Sequence, residues 1–153
     1  MKFDLKKKYY NIINMNKQLF IMSEGNNYYL RNKNNLIKNN DIILKNFDIK
    51  KYNNCTIVEI GCSNGWRLNE LYNKNSNNKY IGIEPSILAI NEKISDKIEI
   101  INGTCDNINL DNNSVDIILV PFVFMYIDRQ LLFKSICEID RILKNKGKII
   151  ITD

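Results

Sequence analysis

The sequence predicts an α/β protein with a parallel, doubly wound sheet preceded by N-terminal helices, on three observations. From about residue 53 onward, short apolar runs alternate with helical stretches, the arrangement that yields parallel strands joined by crossovers. Five such runs can be counted, enough for one open sheet. The first of them runs into VEIGCSNG, Val58 to Gly65, a glycine-bearing turn placed between a strand and a helix.

The elements follow in order. Residues 3–22 carry Leu5, Tyr9, Ile12, Ile13, Leu19 and Phe20 at loosely helical spacing, which reads as an amphipathic helix. SEGNNYY is turn-like, and NLIKNNDIILKNF reads as a second helix weakened by asparagine. After the turn signal at Asn53 and Asn54 come the strand CTIVEI and a helix beginning at GWRLNELYNK. KYIGIE is the second strand, and PSILAINEKI the next helix, with Ser86 placed to cap it. KIEIIN and VDIILVPF are the third and fourth strands. DRQLLFKSICEIDRILKN is a long amphipathic helix with Asp128 as its N-cap, and KIIITD is the fifth strand after Gly147. NKNSNNK between elements reads as a polar loop. The expected division is a helical extension or cap over residues 1–52 and a ligand-binding core over 53–153.

Composition narrows the chemistry. The chain has 153 residues, 44% hydrophobic and 25% charged, ordinary proportions for a globular domain with a core of its own. No apolar run approaches the roughly 20 residues that span a bilayer, and the N-terminus lacks the pattern of a secretory signal. A cytoplasmic location, with no membrane contact, is the expectation. The net charge of +5 is mild. Lys6, Lys7 and Lys8 form the tightest basic cluster and read as a solvated helix face. No basic stripe interleaved with aromatics suggests nucleic acid as a partner. Cys55, Cys62, Cys105 and Cys137 form no C-x-x-C pair, and there is no histidine. No metal site is therefore expected, and nucleophilic machinery that depends on histidine is excluded.

The glycine turn lies where open α/β sheets bind ligands, at the carboxyl edge of the first strand. Gly61 and Gly65 let the backbone turn sharply and approach a ligand, and Ser63 is small enough to keep that approach open. The dinucleotide fingerprint needs glycines at relative positions 1, 3 and 6. Those positions hold Gly61, Ser63 and Trp66, a poor match. A P-loop would need Gly-Lys-Ser/Thr, which is absent. What fits is acidic-x-Gly-x-small-x-Gly: Glu59, Gly61, Ser63 and Gly65.

In these residues the chain resembles the class I S-adenosyl-L-methionine-dependent methyltransferases of the broad small-molecule type, over about residues 55–153. The resemblance implies a Rossmann-like methyltransferase sheet and a cofactor-binding loop that includes Cys62. It places Glu59 at the ammonium group and the Gly61–Gly65 backbone under the sulfonium side. Glu84, at the end of the second strand about 20 residues beyond the loop, is placed to accept hydrogen bonds from both ribose hydroxyls. Pro85 then stops the strand. The segment INGTCDNINLDNNSVDIIL is similar to the family's segment at the adenine edge. Gly103, Ser114 and Asp116 fall on their counterparts. Thr104, backbone amides or Asp106 would read the adenine, with Cys105 as small filler. Val120, Pro121 and Phe122 would wall the sulfonium pocket, with Asp116 structural. Tyr126 stands where many relatives carry histidine, and no catalytic base can be nominated. The aromatic and Met cluster of Phe122, Phe124, Met125 and Tyr126 equally suits a core.

GNNYYLRN, Gly25 to Asn32, resembles a segment that precedes the core in methylases associated with pseudaminic acid and related sugar biosynthesis, with Asn26 in place of an aspartate. That likeness implies that Tyr28 and Arg31 close the site or meet the cofactor's carboxylate; a surface turn joining two helices is the alternative. The expected function is methyl transfer from S-adenosyl-L-methionine to a small-molecule acceptor, a sugar or sugar-derived metabolite among them. The family's fold normally carries two more strands and a helix, so the expectation is a truncated sheet whose fifth strand is an exposed edge. A homodimer or another partner would cover that edge. The competing expectation is a non-catalytic cofactor-binding remnant or interaction module that needs a partner to complete the fold.

Overall fold

The computed structural model describes residues 23–35 and 40–152. The helix expected over 3–22, with its lysine cluster, lies outside them, as do residues 36–39 of the second. Among the described residues five strands form one parallel sheet: β1 (Thr56–Ile60), β2 (Lys79–Glu84), β3 (Glu99–Asn102), β4 (Val115–Pro121) and β5 (Leu143–Thr152). Their spatial order is β3-β2-β1-β4-β5. The chain direction of the winding reverses between β1 and β4, and the crevice at that switch point is where ligands bind in such sheets. The helices are α1 (Gly25–Asn32), α2 (Ile42–Asn46), α3 (Trp66–Lys74), α4 (Ile87–Asn91) and α5 (Arg129–Ile142).

Alternation along β1 divides the core in two. Val58 and Ile60 pack with Ile83, Ile118, Val120 and the α5 residues Ile139 and Ile142. Ile57 points to the opposite face and joins Tyr80, Leu119, Leu68 and Leu71 of α3, and Ile43 and Ile49 from the segment before β1. Each such side chain contributes about 1.5–3 kcal/mol when fully buried. Glu59 shares the face of Ile57 and is fully buried. It sits in register with Gly82 of β2 and Leu119 of β4. A carboxylate in mid-sheet therefore faces α2 and α3.

Three local expectations change. SEGNNYY is helical from Gly25 rather than a turn, because α1 is held by bonds to α4 that outweigh the weak helix propensity of asparagine. Asn26 Oδ1 accepts from Ser86 Oγ at 2.8 Å, and Tyr29 Oη donates to Glu92 Oε2 at 2.8 Å. The second helix is confined, among the described residues, to Ile42–Asn46, capped by Asp41, whose side chain accepts from Leu44 N. The end expected for α5 is instead the start of β5, which begins at Leu143 and pairs with β4 through an irregularity near Val115. Ser86 and Asp128 do cap α4 and α5, accepting from Ala89 N and Gln130 N. The asparagine-rich loop is also tied down. Asn75 and Asn78 both donate to Tyr52 O, at 2.7 and 2.9 Å, and Asn78 Oδ1 accepts from Cys55 N at 3.0 Å.

β5 is an edge strand of this sheet, with Ile149 and Ile151 exposed. No helix among the described residues is long and apolar enough to cross a membrane.

Candidate functional site

A cavity of about 620 Å³ opens at the carboxyl ends of β1, β2, β3 and β4 and is walled on another side by α1. Its size is in the range of sites for small molecules and cofactors. The glycine turn forms its floor. Gly61 N donates to Ile83 O at 2.8 Å and Gly65 N to Cys62 O at 3.0 Å, and both glycines have left-handed backbone, φ 70° and 79°. A Cβ on Gly61 would stand 2.7 Å from Val123 Cγ2, so the glycine is required for space as well as for conformation. Ser63 adopts φ 55°, a conformation that costs an L-residue about 1–2 kcal/mol.

Glu84 holds that turn. Its Oε2 accepts from Ser63 N at 2.8 Å and its Oε1 from Ser86 N at 2.9 Å. It is largely buried, yet lines the cavity. Burial pushes its carboxyl above the usual range, and the two backbone donors pull it back only in part. Each oxygen retains acceptor capacity beyond the bond it already makes.

A buried ionic cluster lies beside the turn. Arg67, one residue into α3, donates from Nε and Nη2 to Asp41 Oδ2 at 3.0 and 2.8 Å. Its Nη1 pairs with Glu59 Oε1. The guanidinium also stacks on the Trp66 ring, 4.6 Å from its centroid. Glu59 Oε2 is buried with no hydrogen-bond partner. Burial pushes the Glu59 carboxyl up to about 7, opposed by Arg67 and reinforced by the charges of Asp41 and Glu84. For Asp41, burial is outweighed by the Arg67 hydrogen bonds and the α2 amides, which hold it below the usual carboxylate range. Trp66 and Arg67 both line the cavity.

The remaining walls differ in character. After β3, Thr104, Cys105 and Asp106 line the cavity, with the backbone turned back by Asn107 N donating to Thr104 O. Asp106 is buried and meets Lys134 Nζ at 3.4 Å. Burial pushes the Cys105 thiol up to about 11, which makes it unreactive filler. After β4, the wall is Pro121, Phe122, Met125 and Tyr126, apolar or aromatic surface. From α1, Tyr28 meets Tyr126 edge to face at 5.1 Å between centroids. Burial and the hydrogen bond with Tyr126 push Tyr28 up to about 12.

Of the residues expected from sequence, Gly61, Ser63, Glu84, Pro85, Thr104, Cys105, Asp106 and Tyr28 line this one cavity. The others stand off its walls. Glu59 is behind them in the ionic cluster, and Cys62 and Val120 are in the two cores. A Cβ on Gly65 would run into Ile98, and Arg31 is exposed and paired with Glu24. Arg67 and Asp41 were not foreseen. An aspartate immediately before an apolar helical run and an arginine just after the glycine turn were the available signals.

An open parallel sheet in this strand order, with an acidic-x-Gly-x-small-x-Gly turn after β1 and a carboxylate ending β2, defines a Rossmann-like methyltransferase fold. Residues 58–151 match the model of a methyltransferase domain, and the chain belongs to that family. No curated protein matches it. Among solved structures, it is similar to a protein assigned as an S-adenosyl-L-methionine-dependent methyltransferase from Methanococcus maripaludis: 24% identity over 99% of this chain and 64% of that one, TM-score 0.61. It is also similar to the structure of the Haloferax volcanii complex between the Trm112 methyltransferase activator and an assigned methyltransferase (18% identity, 84% and 59% covered, TM-score 0.68). A third is a protein from Anabaena variabilis assigned as a methyltransferase of antibiotic biosynthesis (24%, 65% and 39% covered, TM-score 0.57). The chain thus spans less than two thirds of each of these proteins.

Proposed function

We propose that this protein binds S-adenosyl-L-methionine in the cavity and transfers its methyl group to a small-molecule acceptor in the cytoplasm. The observation that carries the reading is Glu84. It ends β2, lines the cavity and holds the glycine turn through Ser63 N. Its position suits the two ribose hydroxyls. The buried, unpartnered Glu59 Oε2 and the Gly61 backbone, which leaves no room for a Cβ, fit the amino-acid end of the cofactor. Thr104, Cys105 and Asp106 edge the place proposed for adenine, Val120 backs the β4 wall, and Tyr28 closes the site from α1.

The cofactor, when bound, supplies an electrophilic methyl group on a sulfonium. The chain's own residues bind, orient and exclude water. Alignment of two reactants in a closed site can lower a barrier by on the order of 7–11 kcal/mol. The apolar wall of Phe122, Met125 and Tyr126 would face the acceptor. Among acceptors, a sugar-derived metabolite is the first to try, from the likeness of Gly25–Asn32. A second copy or another partner over the β5 edge belongs to the same proposal.

Calorimetry with S-adenosylhomocysteine tests the reading. Binding is expected, and Glu84→Ala should weaken it by about 10- to 100-fold, the scale of one or two hydrogen bonds to a charged group. The variant's melting transition has to be retained for the comparison to count. No binding by the intact chain refutes the cofactor site. A second reading, cofactor binding without turnover, is favoured by one observation: of the two tyrosines at the acceptor end, Tyr28 and Tyr126, burial and the hydrogen bond between them push Tyr28 up to about 12, far from the range of a general base. A panel of acceptors assayed for methyl transfer distinguishes the two.

A further inference from the structure

An arginine on the wall of a nucleoside-sized cavity ordinarily suggests a grip for phosphate or carboxylate. Here three of its five N–H groups are already committed within the protein. Nε, Nη1 and Nη2 of Arg67 each bond to a carboxylate oxygen of Asp41 or Glu59. With Glu59 ionised, one guanidinium against two carboxylates gives the cluster a net charge of −1; with Glu59 protonated, as burial favours below about pH 7, the cluster is neutral. Glu59 and Arg67 are buried, and Asp41, half-buried as a residue, has its side chain turned away from solvent, so the field of that charge is only partly screened. One oxygen of the cluster, Glu59 Oε2, has no partner.

We propose that Asp41 is a specificity-determining positioning residue: acting through Arg67, it makes the cluster net negative at the wall of the cavity, so that this end of the site takes a ligand bearing an ammonium group. The inference rests on the nucleoside site proposed above and extends it to a residue that lies before the sheet and does not touch the ligand. Were Asp41 neutral, Arg67 would be matched one to one by Glu59 and the cluster would carry no net charge. The groups that bear on Glu59 are Arg67 of α3, Asp41 ahead of α2, Glu84 at the end of β2 and the Cys62 thiol in the turn. Cys62 is held protonated by burial, and Glu84 adds to the negative field rather than offsetting it. An incoming ammonium favours ionised Glu59, so affinity for such a ligand rises with pH through about 7, while that of a ligand without the ammonium does not.

Asp41→Asn is the variant of choice, because asparagine caps a helix about as well as aspartate and so preserves α2. Two ligands are titrated by calorimetry: S-adenosylhomocysteine, which carries the ammonium, and 5′-deoxy-5′-methylthioadenosine, which lacks the amino-acid end. The variant is expected to lose about tenfold in affinity for the first, the scale of removing one nearby charge in a partly polar interior. It should change less than about twofold for the second. In the unaltered protein, the first ligand's affinity should rise between about pH 6 and about pH 8, and the second's should stay level. Equal losses for both ligands, no loss for either, or parallel pH profiles overturn the role of Asp41 while leaving the nucleoside site intact. Failure of the unaltered protein to bind S-adenosylhomocysteine overturns the site itself, and this inference with it.

Discussion

Replacing Glu59 by glutamine isolates the energetic consequence of a carboxylate in mid-sheet. Its ordinary value of 4.5 rises to about 7 in the fold. Each unit of difference between the folded and unfolded chains corresponds to about 1.36 kcal/mol, so the rise amounts to about 3 kcal/mol. The sign follows from which state holds the proton. Below about pH 4.5, Glu59 is protonated in both states and adds no pH-dependent cost. As pH climbs towards 7 the unfolded chain releases the proton and the fold retains it, so stability declines. The decline is complete above about pH 7. Glu59→Gln keeps the shape and removes the titration. Asp116 and Glu138, held below their usual values, act in the opposite sense at low pH but are remote from Glu59 and cancel in the difference. Asp41 shares Arg67 with Glu59 and is also held below its usual value, so it stays largely ionised across the window in both proteins. Urea unfolding without ligand, from about pH 4 to about pH 8, should show the variant gaining about 3 kcal/mol on the parent across the window. In melting temperature that is about 6–12 °C for a domain of this size. Parallel curves would refute the reasoning, since they would mean that Arg67 fully compensates the burial of Glu59 and keeps it ionised throughout.

Two further outcomes test the geometry of the site. Gly61→Ala should destabilise the protein by about 2–4 kcal/mol, from left-handed backbone and the collision with Val123. Gly103→Ala should cost less than about 1 kcal/mol, because its Cβ would meet Ile83 Cγ2 at an ordinary 3.5 Å; similar urea midpoints for the two variants would contradict the account of the turn. Tyr28→Ala should lose about 0.5–1.5 kcal/mol of α1 docking with the Tyr126 contact and speed ligand dissociation, followed through Trp66, the chain's one tryptophan. Tyr28→Phe retains the ring, so a Phe variant as fast as the Ala variant would shift the role to the hydroxyl.

The strands were legible because their physics is local. CTIVEI, KYIGIE and VDIILVPF are mostly apolar, with charged residues at few positions, and are bounded by turn residues, which suits strands covered on both faces. Ser86 and Asp128 announced their helices in the same local way. Glu84 was singled out from its spacing after the glycine turn together with the family resemblance, and in the fold it lines the cavity. What could not be read was whatever depends on residues distant in sequence. GNNYYLRN looks like a turn because asparagine competes for backbone hydrogen bonds. It becomes a helix only when Asn26 reaches Ser86 and Tyr29 reaches Glu92, some 60 residues on. Glu59 carried the same limitation. Sequence suggested a carboxylate turned towards a ligand, whereas in the fold one of its oxygens is committed to Arg67. Nothing local to VEIGCSNG reveals that Asp41 completes the arrangement.

The two ends of the cavity differ in a way that explains why cofactor and acceptor are unequally accessible to inference. At the β1 and β2 ends the walls are charged or hydrogen-bonding groups with defined partners: Glu84 on Ser63 and Ser86, Arg67 between Asp41 and Glu59. Such groups discriminate strongly, because a ligand that leaves a buried polar atom unpaired loses 1–3 kcal/mol or so, and their pattern therefore encodes what is bound. At the β4 end the walls are Phe122, Met125 and Tyr126. Apolar surface discriminates chiefly by size and shape, with one methylene worth only about 1–3 kcal/mol, and it encodes little about chemical identity. Specificity for the acceptor would then have to come from polar groups at the margin of that end: Tyr28 of α1, Asp128 ahead of α5, or groups brought beside β5. Ligand-dependent protection from hydrogen exchange at α1 and along the β5 edge, measured with cofactor alone and with cofactor plus acceptor, separates β5 from the other sources: protection at β5 that appears only with acceptor would place the missing determinants there.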